Sequence, residues 1–264
     1  KEKTSVSGQK TWNDNDNQDG KRPSKITVNL LANGVKVASK EVKPDAAGTW
    51  AYQFDNLDVV DDAGNLIAYT VSEEPVEGYE TIIEGTNITN SRTPEVVEIP
   101  VTKVWKDNDN QDGVRPDKVT VRLLADGTEV ASQELSAATD WKTVFTNLPK
   151  YNHGKQIVYT VTEDTVANYS AAIDGTTITN SYKPGKTSVT VTKRWEDNND
   201  QDGKRPTSVT VKLLADGQDT GKTLELNKDN NWSGSFTDLD VNKAGKAIAY
   251  TIEEVAVAEY ESKV

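Results

Sequence analysis

Lysine, glutamate and asparagine can react with one another when water is kept away. This sequence sets all three in strand-like stretches, on the side that carries the apolar residues. In "VTVTKRW" alternate side chains face opposite ways, so Val189, Val191, Lys193 and Trp195 share one side and Thr190, Thr192 and Arg194 the other. In "YTVSE" Tyr69, Val71 and Glu73 fall together, as do Tyr159, Val161 and Glu163, and then Tyr250, Ile252 and Glu254. In "TITNSY" Ile178, Asn180 and Tyr182 share a face, and Ile88 with Asn90 repeats the pattern.

An isolated buried charge costs more than a small domain can spare, so such groups must pair, neutralise or react. Burial lowers an ammonium pKa and raises a carboxyl pKa, which favours neutral amine and neutral acid. A neutral lysine is a nucleophile, and the carboxamide carbon of Asn is an electrophile it can attack. A protonated Glu on the amide oxygen would stabilise the developing oxyanion and pass a proton to the departing ammonia. The product is an isopeptide bond between two side chains, with the fold supplying the effective concentration. Register alone leaves two simpler readings open: a buried Lys–Glu ion pair, and an Asn that serves as a strand-end turn residue.

The elements that must position these groups come in repeats. "KTWNDNDNQDGKRPSKITVNLLANG" recurs as "KVWKDNDNQDGVRPDKVTVRLLADG" and "KRWEDNNDQDGKRPTSVTVKLLADG", so that Lys10, Lys103 and Lys193 lie 93 and 90 residues apart. "AYTVSEEP", "VYTVTEDT" and "AYTIEEVA" follow in turn, and "GTNITNSRTP" and "GTTITNSYKP" close the first two copies. A period this long suits a string of independent domains. Pro and Gly at Thr93–Pro94 and Pro184–Gly185 predict domains at 1–93, 94–184 and 185–264, the last lacking its final strand, joined by short linkers into an elongated rod. Ile26, Val28 and Leu30 alternate before "ANG", with counterparts Val119, Val121, Leu123 and Val209, Val211, Leu213 before "ADG". These are strands that run into type I′ hairpins. No capped stretch of helical period is present. The expectation is an all-β chain of small sandwiches, with Trp12, Trp50, Trp105, Trp141, Trp195 and Trp232 in or near the cores.

Composition removes several functions. With 42 acidic against 30 basic residues the formal charge is −12, which repels nucleic acid and anionic membrane surfaces. Cys is absent, so disulfides and thiol chemistry are excluded, and the single His153 excludes a Ser-His-Asp triad and a multi-histidine zinc site. No apolar run could span a membrane, and "KEKTSVSGQK" has no signal-peptide pattern, so no membrane insertion is expected. Asn15, Asn17, Asp19 and Gly20 resemble part of a calcium loop, as do Asn108, Asn110, Asp112 and Asn198, Asp200, Asp202. The twelfth position from Asn15 is Ile26 where a bidentate Glu belongs, so the loop is expected to be an Asx-held turn with no metal and no cofactor.

Taken together, the Lys-x-Trp followed by "DNDNQDGKRP", the Tyr-x-Val/Ile-x-Glu strand and the terminal "ITN" resemble the Cna B-type (CnaB) domains of Gram-positive surface adhesins and pilins, in three copies across the whole chain. The resemblance implies an inverse immunoglobulin-like β-sandwich with an internal Lys–Asn isopeptide bond assisted by an acidic residue. Carried across, Lys10, Glu73 and Asn90 form one set and Lys103, Glu163 and Asn180 a second. The third copy supplies Lys193 and Glu254 with no Asn at the matching place, which leaves Lys193 unpaired.

The implied function is a structural stalk of a monomeric, extracellular, cell-wall adhesin, with the other domains of that adhesin as partners and host matrix protein reached through them. It is not an enzyme beyond one self-linking turnover, since the Lys–Glu–Asn set consumes itself. The alternative is that the repeats themselves bind a host matrix protein or glycan, with avidity compensating for weak single contacts.

Overall fold

Period-two alternation of β-branched and polar residues builds this chain. The computed structural model describes residues 1–264 and holds strands throughout, with helix confined to two single 3-10 turns, Ala137–Thr139 and Lys228–Asn230. Its contacts sort into two compact units, Lys1–Pro100 with Leu123–Ala131 and Val144–Thr160, and Val101–Arg122 with Ser132–Thr143 and Val161–Val264. The first unit contains the whole first copy of the repeat. The second contains the Lys103 and Lys193 sites.

The first copy has strands β1 (Lys3–Asn13), β2 (Ile26–Ala32), β3 (Val35–Val42), β4 (Trp50–Asp58), β5 (Tyr69–Glu73), β6 (Glu80–Glu84) and β7 (Asn87–Ser91). They form a four-stranded sheet in the order β4-β1-β7-β6 and a three-stranded sheet in the order β3-β2-β5. First and last strands therefore lie side by side, and they run parallel, with Lys10 opposite Ile88 and Trp12 opposite Asn90. The core between the sheets takes Ile26, Val28 and Leu30 from β2, Trp50, Tyr52 and Phe54 from β4, Val71 from β5 and Ile88 from β7. Each is the apolar half of an alternating strand, as the two-face rule demands.

The hairpin between β2 and β3 turns on Asn33 and Gly34, at φ 50° and 84°. Two successive positive φ values are what a type I′ turn requires, and Asn-Gly supplies them at least cost. The loop after β1 goes further: Asn15, Asp16 and Asn17 all sit at φ 52–57°, as do Asn108, Asp109 and Asn110 at 52–58°. Asn and Asp tolerate left-handed backbone better than other side-chain-bearing residues, which accounts for the composition of the loop.

The second copy repeats the strand list as Val96–Lys106, Lys118–Ala125, Thr128–Ser136, Lys142–Pro149, Tyr159–Glu163, Ser170–Asp174 and Thr177–Ser181. Thr177–Ser181 again runs parallel to the first strand, with Ile178 opposite Lys103 and Asn180 opposite Trp105. In the third copy Ser208–Ala215 lies between Gln218–Asn227 and Tyr250–Glu254, and the other sheet holds the pair Lys186–Thr192 and Ser233–Asp240.

Candidate functional site

The alternation that fills the core also delivers charge to it. Lys10 is 4% exposed and Asn90 0%, and the side chains of both Lys10 and Glu73 are wholly covered. Lys10 comes from β1, Asn90 from the parallel strand β7 and Glu73 from β5 in the opposing sheet, so the set spans both layers of the sandwich. Lys10 Nζ lies 4.0 Å from Glu73 Oε2, donates to the Thr11 carbonyl at 3.1 Å, and sits 3.5 Å from the centre of the Trp12 ring. Trp12 is boxed edge-on by Trp50 and Tyr79 at 5.3 and 5.0 Å, which walls the amine from solvent. Burial pushes the Lys10 ammonium down to about 8, against the opposing pull of the Glu73 carboxylate.

In the second copy Lys103 Nζ is 3.6 Å from Glu163 Oε2, with side chains 0% and 2% exposed, and Asn180 is 0% exposed. Burial lowers the Lys103 ammonium to about 8 as well. Glu73 Oε2, Asn90 Oδ1, Glu163 Oε2 and both polar atoms of Asn180 are buried without a hydrogen-bond partner. Unsatisfied groups in this number are costly, and they gather where the proposed chemistry needs an electrophile and an acid. In the third copy Lys193 Nζ meets Glu254 Oε2 at 3.0 Å, with side chains 18% and 8% exposed. The last Asn in that copy is Asn242, in a hairpin strand.

Two sets of residues at these sites carry no signal in local sequence spacing. Thr81, on the edge strand β6, stands opposite Asn90; its hydroxyl donates to Glu73 Oε1 at 2.9 Å and accepts from Asn90 Nδ2 at 3.1 Å. Ser262 makes the same bond to Glu254 Oε1 at 2.5 Å, and the residue opposite Asn180 is Ala171. The second set begins with Asp14, 3% exposed at the mouth of the Asx loop. It takes a fork from Arg22 at 2.6 and 3.1 Å, the Asn17 N–H at 3.0 Å and the Tyr79 hydroxyl at 2.7 Å. Asp107 with Arg115 and Tyr169, and Asp197 with Arg205 and Tyr260, repeat it.

Burial opposes the charge on Asp107, yet the Arg115 and Tyr169 hydrogen bonds hold its carboxyl down at about 2. Asp19, counted above among possible calcium ligands, spends its Oδ2 on the Glu95 N–H at 2.9 Å and Arg92 Nε at 3.2 Å. Asp112 Oδ2 likewise accepts the Gly185 N–H at 2.9 Å and the Tyr182 hydroxyl at 2.8 Å. The loop is thus an Asx-held turn whose acids serve arginines, tyrosines and linker N–H groups.

A family model for the Cna protein B-type domain matches residues 6–91, 99–181 and 189–264. The chain is 48% identical over 258 residues to a collagen adhesin of Staphylococcus aureus, which covers 96% of this chain and 22% of that protein. It is similar to the crystal structure of two B repeat units of the collagen binding protein of the same organism, at 45% identity and TM-score 0.61, over 98% of this chain and 71% of that one. A single B repeat unit of that surface protein is 53% identical, over 63% of this chain and 90% of that one, at TM-score 0.33.

Proposed function

The chain belongs to the Cna protein B-type domain family, in three tandem copies, and from that premise we propose that it is a spacer segment in the stalk of a Gram-positive surface adhesin, each complete copy stapled by a self-formed Lys–Asn isopeptide bond. The bonds join Lys10 to Asn90 and Lys103 to Asn180, with Glu73 and Glu163 as the assisting acids. The partners are the further domains of the adhesin, which present its ligand site to a host matrix protein. The modules lie outside the cell, where a staple made without cysteine is indifferent to redox conditions.

The observation that carries this reading is that Lys10, Glu73 and Asn90 are all covered, with Lys10 Nζ 4.0 Å from Glu73, Asn90 bridged to Glu73 through the Thr81 hydroxyl, and Glu73 Oε2 and Asn90 Oδ1 left without partners. With its ammonium at about 8, Lys10 is neutral in roughly a tenth of molecules at pH 7, against roughly one in three thousand at the ordinary value. Neutral Nζ attacks Asn90 Cγ from the adjacent strand. Glu73 takes the proton that Nζ sheds and returns it to the leaving nitrogen, so that ammonia is the sole by-product. A link that closes a loop of roughly 80 residues stabilises by about 4–5 kcal/mol on the chain-entropy account. Within residues 1–264 Lys193 pairs with Glu254.

Intact mass in denaturant tests this directly. The expected mass is that of the sequence less two molecules of ammonia. A mass equal to the plain sequence would leave the buried sets as ion pairs and remove the staple from the proposal.

A further inference from the structure

We infer that Thr81 is a catalytic residue of the first copy, a hydroxyl relay that carries the proton from Glu73 to the departing nitrogen of Asn90, and that the second copy, with Ala171 in its place, links more slowly. This rests on the self-linking reading above. The geometry divides the two oxygens of Glu73 between two tasks. Oε2 faces the Lys10 amine, and Oε1 accepts the Thr81 hydroxyl at 2.9 Å. The Thr81 oxygen in turn accepts Asn90 Nδ2 at 3.1 Å. The hydroxyl has one proton and gives it to a carboxylate oxygen that only accepts, so the atom of Asn90 that faces Thr81 must be a donor. The amide is thereby fixed with its nitrogen, the leaving group, on the relay and its oxygen unpartnered.

The proton count closes along this path. Neutral Nζ adds to Cγ, forming the new C–N bond and giving a tetrahedral centre at which Nδ2 gains a lone pair. Nζ sheds one proton to Glu73 Oε2. The protonated carboxyl gives a proton from Oε1 to Thr81 Oγ1, which passes its own to Nδ2; the Cγ–Nδ2 bond then breaks and ammonia leaves. Nothing is oxidised or reduced, and both Glu73 and Thr81 end as they began.

The copies provide a natural comparison. Ser262 in the third copy keeps the relay atom, at 2.5 Å from Glu254 Oε1, while the acid faces Lys193 through Oε2 as Glu73 faces Lys10. Ala171 has no hydroxyl, and there neither polar atom of Asn180 has a partner. A plain packing role for Thr81 does not explain this division: residues on the edge strand Glu80–Glu84 are all exposed, and its neighbours Ile82 and Ile83 make no core. A water can enter at that edge and take the place of the missing hydroxyl in the second copy. The advantage of Thr81 is accordingly set at roughly tenfold, below the roughly hundredfold or more of a positioned proton donor acting alone.

The test uses the full chain made by cell-free synthesis, quenched in denaturant at intervals and digested, with the Lys10–Asn90 and Lys103–Asn180 peptides quantified by mass. The first link is expected to form roughly tenfold faster than the second. Thr81→Val should bring it down to the rate of the second, Thr81→Ser should keep it fast, and Ala171→Ser should accelerate the second. The untouched copy in each chain reports that synthesis and folding are normal. Links in both copies with a first rate indifferent to Thr81→Val, or Thr81→Ser as slow as Thr81→Val, would overturn the relay and leave the self-linking reading intact. No ammonia lost from either copy of the parent chain would overturn both.

Discussion

Trp12 lies directly opposite Asn90 in the parallel pairing of β1 with β7, which places Lys10 one pleat behind it on the same inward face. The lysine must then reach forward over the indole, and its Nζ is held 3.5 Å from the centre of that ring. The same offset recurs for Trp105, Asn180 and Lys103, at 3.9 Å. In the proposed reaction the indole would be the floor along which the amine approaches Asn90, apolar enough to favour the neutral nucleophile while its face tolerates the cation.

Removing the electrophile should separate the staple from the fold. In Asn90→Ala the mass deficit is expected to fall from two ammonia molecules to one. The first copy should lose about 4–5 kcal/mol of stability, with the second unchanged. Urea titration followed by peptide-resolved hydrogen exchange reads both copies in one sample.

Removing the acid should leave Lys10 and Asn90 on their adjacent strands but unreactive. Glu73→Gln is expected to slow the first link by about 10²–10⁴ and Glu163→Gln to do the same to the second, each without effect on the other. Time-resolved mass of the two cross-linked peptides measures this. Equal slowing of both copies by one substitution would point to a folding defect.

The pH dependence has a definite sign. Folding lowers the Lys10 ammonium to about 8, and in the proposed reaction it is the neutral amine that attacks. The fraction of neutral amine, and with it the rate of the first link, should therefore rise about tenfold per pH unit up to about 8 and level off above it. A rate indifferent to pH below about 8 would mean that the protonation of Lys10 does not limit the reaction.

Asp107 offers an independent check on the loop. Its carboxyl is held at about 2, against 3.8 unperturbed, so its contribution is complete above about pH 4 and is lost as pH falls through about 2. The size of that contribution is about 2 kcal/mol. Asp107→Asn should remove it, flattening the acid limb for the second copy in hydrogen-exchange measurements, while Asp14 continues to protect the first.

Lys193 should behave as an ordinary amine once the chain is unfolded. Acylation in denaturant is expected to label it fully and to leave Lys10 and Lys103 unlabelled, which peptide mapping will show. Labelling of all three would contradict the two cross-links.

The inward placement of the Lys, Glu and Asn side chains was legible in the sequence because strand alternation is binary. Once Val71 or Ile88 is assigned to the core, Glu73 and Asn90 have no other face to occupy, and they are found covered. The Asn-Gly hairpin was legible for a similar reason, since few other pairs accept two positive φ values. Thr81 was hidden because every residue of β6 is exposed, so the strand carries no apolar register, and only its pairing with Asn90 reveals what Thr81 touches. Tyr79 joins Asp14 across 65 residues, a distance over which no local spacing rule operates. The six tryptophans were expected at or near the cores, and of these Trp50 is fully buried while Trp12, Trp105, Trp141, Trp195 and Trp232 are half-buried.

The parallel course of β1 and β7 has a mechanical consequence. A pull on the two ends of the first copy enters β1 at Lys3 and leaves β7 at Ser91, at opposite ends of the strand pair, so the ladder is loaded in shear rather than unzipped. Were Lys10 joined to Asn90 as proposed, force would cross from one strand to the other through a covalent bond near the exit, and the roughly 80 residues between them, about 270 Å of extended chain, would never come under load. A stalk of such modules would transmit shock without lengthening and refold nothing afterwards, behaving as a cable of fixed length where an unlinked sandwich would behave as a spring.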